Sequence, residues 1–194
     1  MPPKVKITKE EIVETAMALV RANGESAINA RAVAAALNCS TQPVFSNFAT
    51  MDDLLRAVEA KAKELYDAYT EREVASGEYP AYKASGMAYI RFAKEEKELF
   101  KLFFMCDRRG EPIPEQDELN VRMESYVQQN TGLEGREKKL FHLEIWAFVH
   151  GIATMFATDF LDLPWELVSQ MITDVYQGLR KQYESEEGNG RDTN

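Results

Sequence analysis

Cysteine, histidine and tryptophan are scarce in this chain, with two of each among 194 residues. Cys39 and Cys106 lie far apart and show no paired metal-ligand spacing, which argues against a zinc site or a disulfide scaffold and leaves reduced thiols as the expectation. No stretch reaches the roughly 20 uninterrupted apolar residues of a membrane span. The opening MPPKVKITKE lacks the apolar core of a secretory signal, so the expected setting is cytoplasmic, with no membrane partner. Internal repeats, a glycine-rich phosphate loop and a convincing strand pattern are all missing. His142 and His150 stand two helical turns apart with no nucleophile or oriented acid around them. Neither a metal site, a cofactor nor catalytic residues are expected, and an enzyme is not the reading.

Hydrophobic residues make up 45% and charged residues 28%, a balance that folds. The net charge of −9 argues against a nucleic-acid binder until it is divided by segment. Residues 1–50 carry Lys4, Lys6, Lys9, Arg21 and Arg31 against Glu10, Glu11, Glu14 and Glu25, which is +1 and leaves −10 for the rest. A near-neutral head on an acidic body can still meet phosphates, with weaker long-range attraction than a strongly basic module.

Local signals divide the chain into helices. Thr8 and Glu11 form a capping box ahead of Ile12, Val13, Ala16, Leu19 and Val20, and Asn23-Gly24 ends that helix. Asn29 caps a short second helix with Val33, Ala34 and Leu37 on its apolar face. Asn38-Cys39 makes a turn, and Ser40 is the candidate cap of a third helix holding Val44, Phe45 and Phe48. Pro43 fits only the start of that helix, where a missing N–H breaks no bond; Ser40 must then serve the N–H of Gln42. Thr50 and Asp53 open a long fourth helix running to about Ala75, and Ser76-Gly77 breaks it. Further helices run from Pro80 through Phe92 and, past a kink in the Lys94–Glu98 charge cluster, through Met105. A loop at Arg108–Pro114 precedes helices over Glu115–Asn130, Gly135–Thr158 and from Pro164 to near Tyr183. Residues 184–194, acidic and rich in Gly and Asn, read as a disordered tail. The fold class is all-α, about nine helices, with a three-helix head over 1–50 and a larger helical domain over 51–183.

Two short helices joined by a tight turn, the second opening in small polar residues, are what a helix-turn-helix requires to set side chains against base edges. Helical phase turns Val44 and Phe48 inward and leaves the neighbouring positions outward. The candidate DNA contacts are Lys4 and Lys6 on an N-terminal arm, Asn29, Arg31, Ser40 and Thr41, and Gln42, Pro43, Phe45, Ser46 and Asn47 on the third helix. Gln42 and Asn47 can each donate and accept toward adenine, and the Pro43 ring can meet a thymine methyl. The two arm lysines are equally well read as solvated charge.

The segment ITKEEIVETAMALVRANGESAINARAVAAALNCSTQPVFSNFATMDDLLRAV, residues 7–58, resembles the DNA-binding domain of the TetR family of repressors. Two positions depart from that family's pattern. Phe45 stands where a tyrosine usually contacts phosphate, and Met51 where a phosphate-binding lysine is frequent; both losses touch affinity before sequence choice. The resemblance implies a homodimer on palindromic double-stranded operator DNA, released by a small-molecule effector. The alternative is a helical carrier or interaction module that has lost DNA binding.

The C-terminal part resembles the family's variable sensing domain, and IWAFVHGIA, with Trp146, His150 and Gly151, is similar to a tryptophan-histidine-glycine signature of one subgroup. Trp146 and His150 share a helix face, with Gly151 leaving room for close approach. His142 is expected to be exposed or at a helix junction. An excess of aromatic and methionine side chains suits an adaptable apolar cavity for an apolar or amphipathic effector. Candidate contacts are Met87, Phe103, Phe104, Met123, Tyr126, Trp146 and His150, although such side chains also fill any helical core. Leu143, Ala147 and Gly151, with Val168, Met171, Ile172, Val175 and Leu179, form stripes that the resemblance assigns to the dimer interface; packing within one chain is the alternative.

Overall fold

The structure, a computed structural model, describes residues 7–106 and 118–190. Lys4, Lys6, the Arg108–Pro114 loop and the last four positions of the tail lie outside the described residues. Among those described there are nine α-helices and no strand. In order they are α1 (Lys9–Asn23), α2 (Ala30–Ala36), α3 (Gln42–Asn47), α4 (Met51–Ser76), α5 (Ala81–Glu95), α6 (Lys97–Phe104), α7 (Glu118–Thr131), α8 (Gly135–Ala157) and α9 (Trp165–Gly190).

The chain forms two compact units. The first holds α1, α2, α3, α4 as far as Ala68, and the stretch from Phe92 that includes α6. The second holds the remainder of α4 and α5 together with α7, α8 and α9. This line of compactness differs from the division at residue 50, since α6 and most of α4 share the unit of the three head helices.

Three helix starts follow their caps. Thr8 Oγ1 accepts the Glu11 N–H at 3.1 Å while the Glu11 carboxylate accepts the Thr8 N–H at 2.8 Å. Asn29 Oδ1 accepts the Ala32 N–H at 2.9 Å, and Thr50 and Asp53 repeat the reciprocal pattern at 3.1 and 2.9 Å. At Gly24, φ of 78° lets its N–H reach back to the Val20 carbonyl at 2.7 Å, closing α1. A short 3-10 turn at Glu25–Ala27, not foreseen from the sequence, leads into α2.

The end of α2 uses Asn38, whose φ of 52° places it in the left-handed region that asparagine tolerates. The Cys39 N–H then bonds the Ala34 carbonyl at 2.9 Å, so the expected turn is a Schellman closure. Between α5 and α6 the expected kink is a break at Glu96, which leaves helical geometry with φ −120° and ψ 50°. Its carboxylate takes a two-pronged bond from Arg21 of α1, at 2.7 and 2.9 Å.

The first unit closes over Ile12, Ala16, Val20, Val33, Val44, Leu54 and Val58, all fully buried. An aromatic cluster adds Tyr66, Phe92, Phe100, Phe103 and Phe104, with ring centroids 4.6–6.4 Å apart in the contacting pairs. The second unit packs Met87, Ile90, Val127, Phe141, Ala153 and Val168.

Helix α9 continues through Glu184 to Gly190, within the segment that composition reads as a disordered tail. Arg180 bonds Glu184 one turn on at 2.7 Å, and glutamates propagate a helix that already exists at little cost. By length and composition α8 is the helix among the described residues that could cross a membrane. Its Phe141, Ile145, Val149, Ile152 and Phe156 are instead the buried face of the second unit.

Candidate nucleic-acid interface

Helices α2 and α3 present the expected phase. Val33, Val44 and Phe48 are buried, while Gln42, Phe45 and Ser46 are exposed and Thr41, Pro43 and Asn47 are half-buried. The Lys9 ammonium sits over the Phe48 ring, 5.0 Å from its centroid, and ties the start of α1 to the residue that ends α3.

The cap expected of Ser40 is not formed. Helix α3 begins at Gln42 with Thr41 as its boundary residue, already in helical backbone geometry at φ −70° and ψ −12°, and with no side-chain cap. A side-chain cap works from an extended boundary residue, whereas here the Thr41 carbonyl simply accepts the Phe45 N–H at 3.2 Å. Pro43 falls in the first turn, and its missing N–H removes one donor that would need a partner.

Side chains of the candidate set differ in how much of their bonding is already used. Asn29 is engaged as the α2 cap, and its amide nitrogen also reaches the Ala27 carbonyl at 3.4 Å. Ser46 Oγ donates to the Gln42 carbonyl and Asn47 Nδ2 to the Pro43 carbonyl, each at 2.8 Å. One of the two N–H groups of the Asn47 amide is thus engaged within its own helix. Arg31 is exposed on the first turn of α2, and Met51 is half-buried at the start of α4. Arg56, which sequence reasoning passed over, holds Asp53 at 2.6 Å and lies near this end of the head. Bonds from Thr50 and then Arg56 hold the Asp53 carboxyl below its ordinary range.

In the second unit, α5 and α8 are joined by two tyrosine–histidine bonds. Tyr82 Oη lies 3.0 Å from His142 Nδ1, and Tyr89 Oη lies 2.8 Å from His150 Nδ1. Burial pushes the Tyr82 phenol up and both imidazoles down, which favours a neutral phenol at Tyr82 and neutral rings at His142 and His150. His142 is therefore not the exposed residue one reading allowed; it is partly buried against α5. Trp146 stacks on His150 at 5.0 Å with ring planes 20° apart, the convergence expected of positions four apart. Gly151 faces open space in the single chain, with nothing within 4 Å of where a Cβ would stand, so its expected close approach has no partner there.

The other candidate effector contacts are distributed over the two units. Met87 and Met123 are buried core of the second unit, and Tyr126 is half-buried there. Phe103 and Phe104 belong to the aromatic cluster of the first unit. Two open clefts occur in the first unit and neither involves the expected set. One of about 540 Å³ runs along Arg21 and Lys94–Glu98, and one of about 520 Å³ along Glu14, Lys61 and Glu64.

The interface stripe divides in two. Val168 and Ile172 are buried within their own unit. The stripe on α9 faces inward along these residues, one position away from exposed Leu167 in helical phase. Met171, Val175 and Leu179 are half-buried. Leu143, at 55% exposure, stands with Leu140, Ala147 and Gly151 on an uncovered face of α8.

This architecture, a small helix-turn-helix head followed by a larger helical body, is the fold of TetR-type regulators. A TetR-family member from Streptomyces coelicolor matches with a TM-score of 0.64 at 17% identity, over 86% of this chain and 96% of that one. A TetR-like transcriptional regulator from Rhodococcus sp. matches at TM-score 0.67 and 11% identity, over 91% and 96%. The multidrug binding protein EbrR, solved with imidazole, matches at 0.61 and 17%, over 86% and 88%. No protein-family profile matches the chain, and no curated protein matches it significantly. At these identities the likeness is one of fold.

Proposed function

We propose that the chain is a ligand-responsive transcription regulator that binds operator DNA as a homodimer. The observation that carries this reading is the α2–α3 pair, which holds Val44 and Phe48 in the core and turns Gln42, Phe45 and Ser46 outward at the tip of the head. That is the disposition a reading helix needs in a major groove. The shared fold with TetR-type regulators supports it.

Dimerisation uses the uncovered α8 face, with Leu140, Leu143, Ala147 and Gly151 meeting their counterparts about a two-fold axis. Leu167 of α9 is exposed as well. Two-fold symmetry then pairs two heads with two half-sites of a palindromic operator. The effector is a small apolar or amphipathic molecule held in the second unit near Trp146 and His150, which also carry the likeness to the tryptophan-histidine-glycine subgroup. Helix α4, one continuous helix with residues in both units, passes the effector's presence to the head. Repression relieved by effector is the expected outcome, because a ligand that favours the released state must weaken operator binding by the factor that operator weakens the ligand, about 5–150-fold in such systems.

Selection of duplexes from a random pool by the intact protein, with and without apolar compounds, tests the reading. Enrichment of a two-fold symmetric site supports it. An unenriched pool at low ionic strength leaves the helical-carrier reading in its place.

A further inference from the structure

The reading helix is short of the groups that usually grip DNA. Helix α3, QPVFSN, carries no charge, and the Ser46 hydroxyl and Asn47 amide nitrogen are both bonded to carbonyls of their own helix. What remains outermost beside Gln42 is the ring of Phe45, 53% exposed, on a helix whose inward positions are filled by Val44 and Phe48. Positions 42 and 45 are neighbours on one helical face, so amide and ring point the same way. A phenyl ring cannot bond a phosphate, and the exposed part of this one gains no packing in the single chain. In the major groove the one apolar group a ring can meet is the 5-methyl of thymine.

We infer that Phe45 is a specificity-determining residue that reads the methyl group of a thymine in each half-site. The inference rests on the DNA-binding reading above and adds what the head recognises. Affinity at this position comes from apolar contact, in keeping with a head whose charge over residues 1–50 is only +1.

Replacing thymine by deoxyuridine, one position at a time, in a duplex selected by the intact protein tests this directly. Deoxyuridine pairs as thymine does and lacks only the methyl. One thymine per half-site is expected to lose about fourfold in affinity on replacement, the value of burying one methyl-sized group, and about fifteenfold when both half-sites are changed. Phe45→Ala abolishes that difference, Phe45→Leu keeps part of it, and Gln42→Ala keeps it whole. A selected site on which every replacement is neutral, or a difference that survives Phe45→Ala in protein with an unchanged circular dichroism spectrum, overturns the inference while leaving DNA binding intact. If no duplex is selected, the inference and the reading beneath it fall together.

Discussion

Asn29 and Gln42 are both amides at the start of a head helix, and the structure gives them opposite tasks. Asn29 Oδ1 is committed to the Ala32 N–H at 2.9 Å, so its substitution acts on folding. Asn29→Ala is expected to cost about 1 kcal/mol in denaturant unfolding and to leave the base preference of the folded protein unchanged. Altered preference at full stability would contradict that assignment. Gln42 is exposed with no structural duty of its own side chain. Gln42→Ala is expected to relax one operator position by about 1–3 kcal/mol while stability stays within about 0.5 kcal/mol. A uniform loss on all duplexes would assign Gln42 to the backbone instead.

At the scale of elements, the α5–α8 pairing is held partly by groups that titrate. His142 and His150 have folded values below the ordinary 6.5 because burial disfavours the charged ring. As pH falls through 6.5 the unfolded chain takes up protons that the folded chain resists, so stability is full above that pH and declines below it. Thermal melts between pH 7.5 and 5.5 are expected to show this decline, reduced in the His142→Gln, His150→Gln double variant. Identical slopes in the two proteins would show that the imidazoles are not kept neutral by the fold.

Helix starts were readable because caps are local: Thr8 with Glu11, Asn29, and Thr50 with Asp53 each act within three residues of themselves. The α3 start was misplaced because Thr41 takes helical geometry with no side chain engaged, leaving no chemical mark in the sequence. The tyrosine–histidine pairs and the Arg21–Glu96 fork join residues 60–75 positions apart, which periodicity cannot foresee. The burial of Val168 and Ile172 within their own unit is hidden from the sequence for a related reason. A stripe announces that a helix face is covered without saying by what, and a shift of one residue turns the face by about 100°.

For the whole molecule, burial sorts substitutions between folding and assembly. Ile172→Ala is expected to cost about 2–5 kcal/mol of stability, since the side chain fills the core of its own unit. Leu143→Glu is expected to leave the single chain folded and to weaken self-association about tenfold to a hundredfold, the worth of one buried leucine. Sedimentation read beside circular dichroism separates the two. A Leu143→Glu protein that unfolds, or stays dimeric at low concentration, would remove α8 from the interface.

The measurement nearest the central claim is the stoichiometry of the intact protein on its own selected duplex, by native mass spectrometry. The account predicts two chains on one site with two-fold symmetric half-sites, and weakening or loss of that two-chain complex, with no one-chain complex in its place, once a half-site is scrambled. Single chains bound tightly to an asymmetric sequence would contradict it.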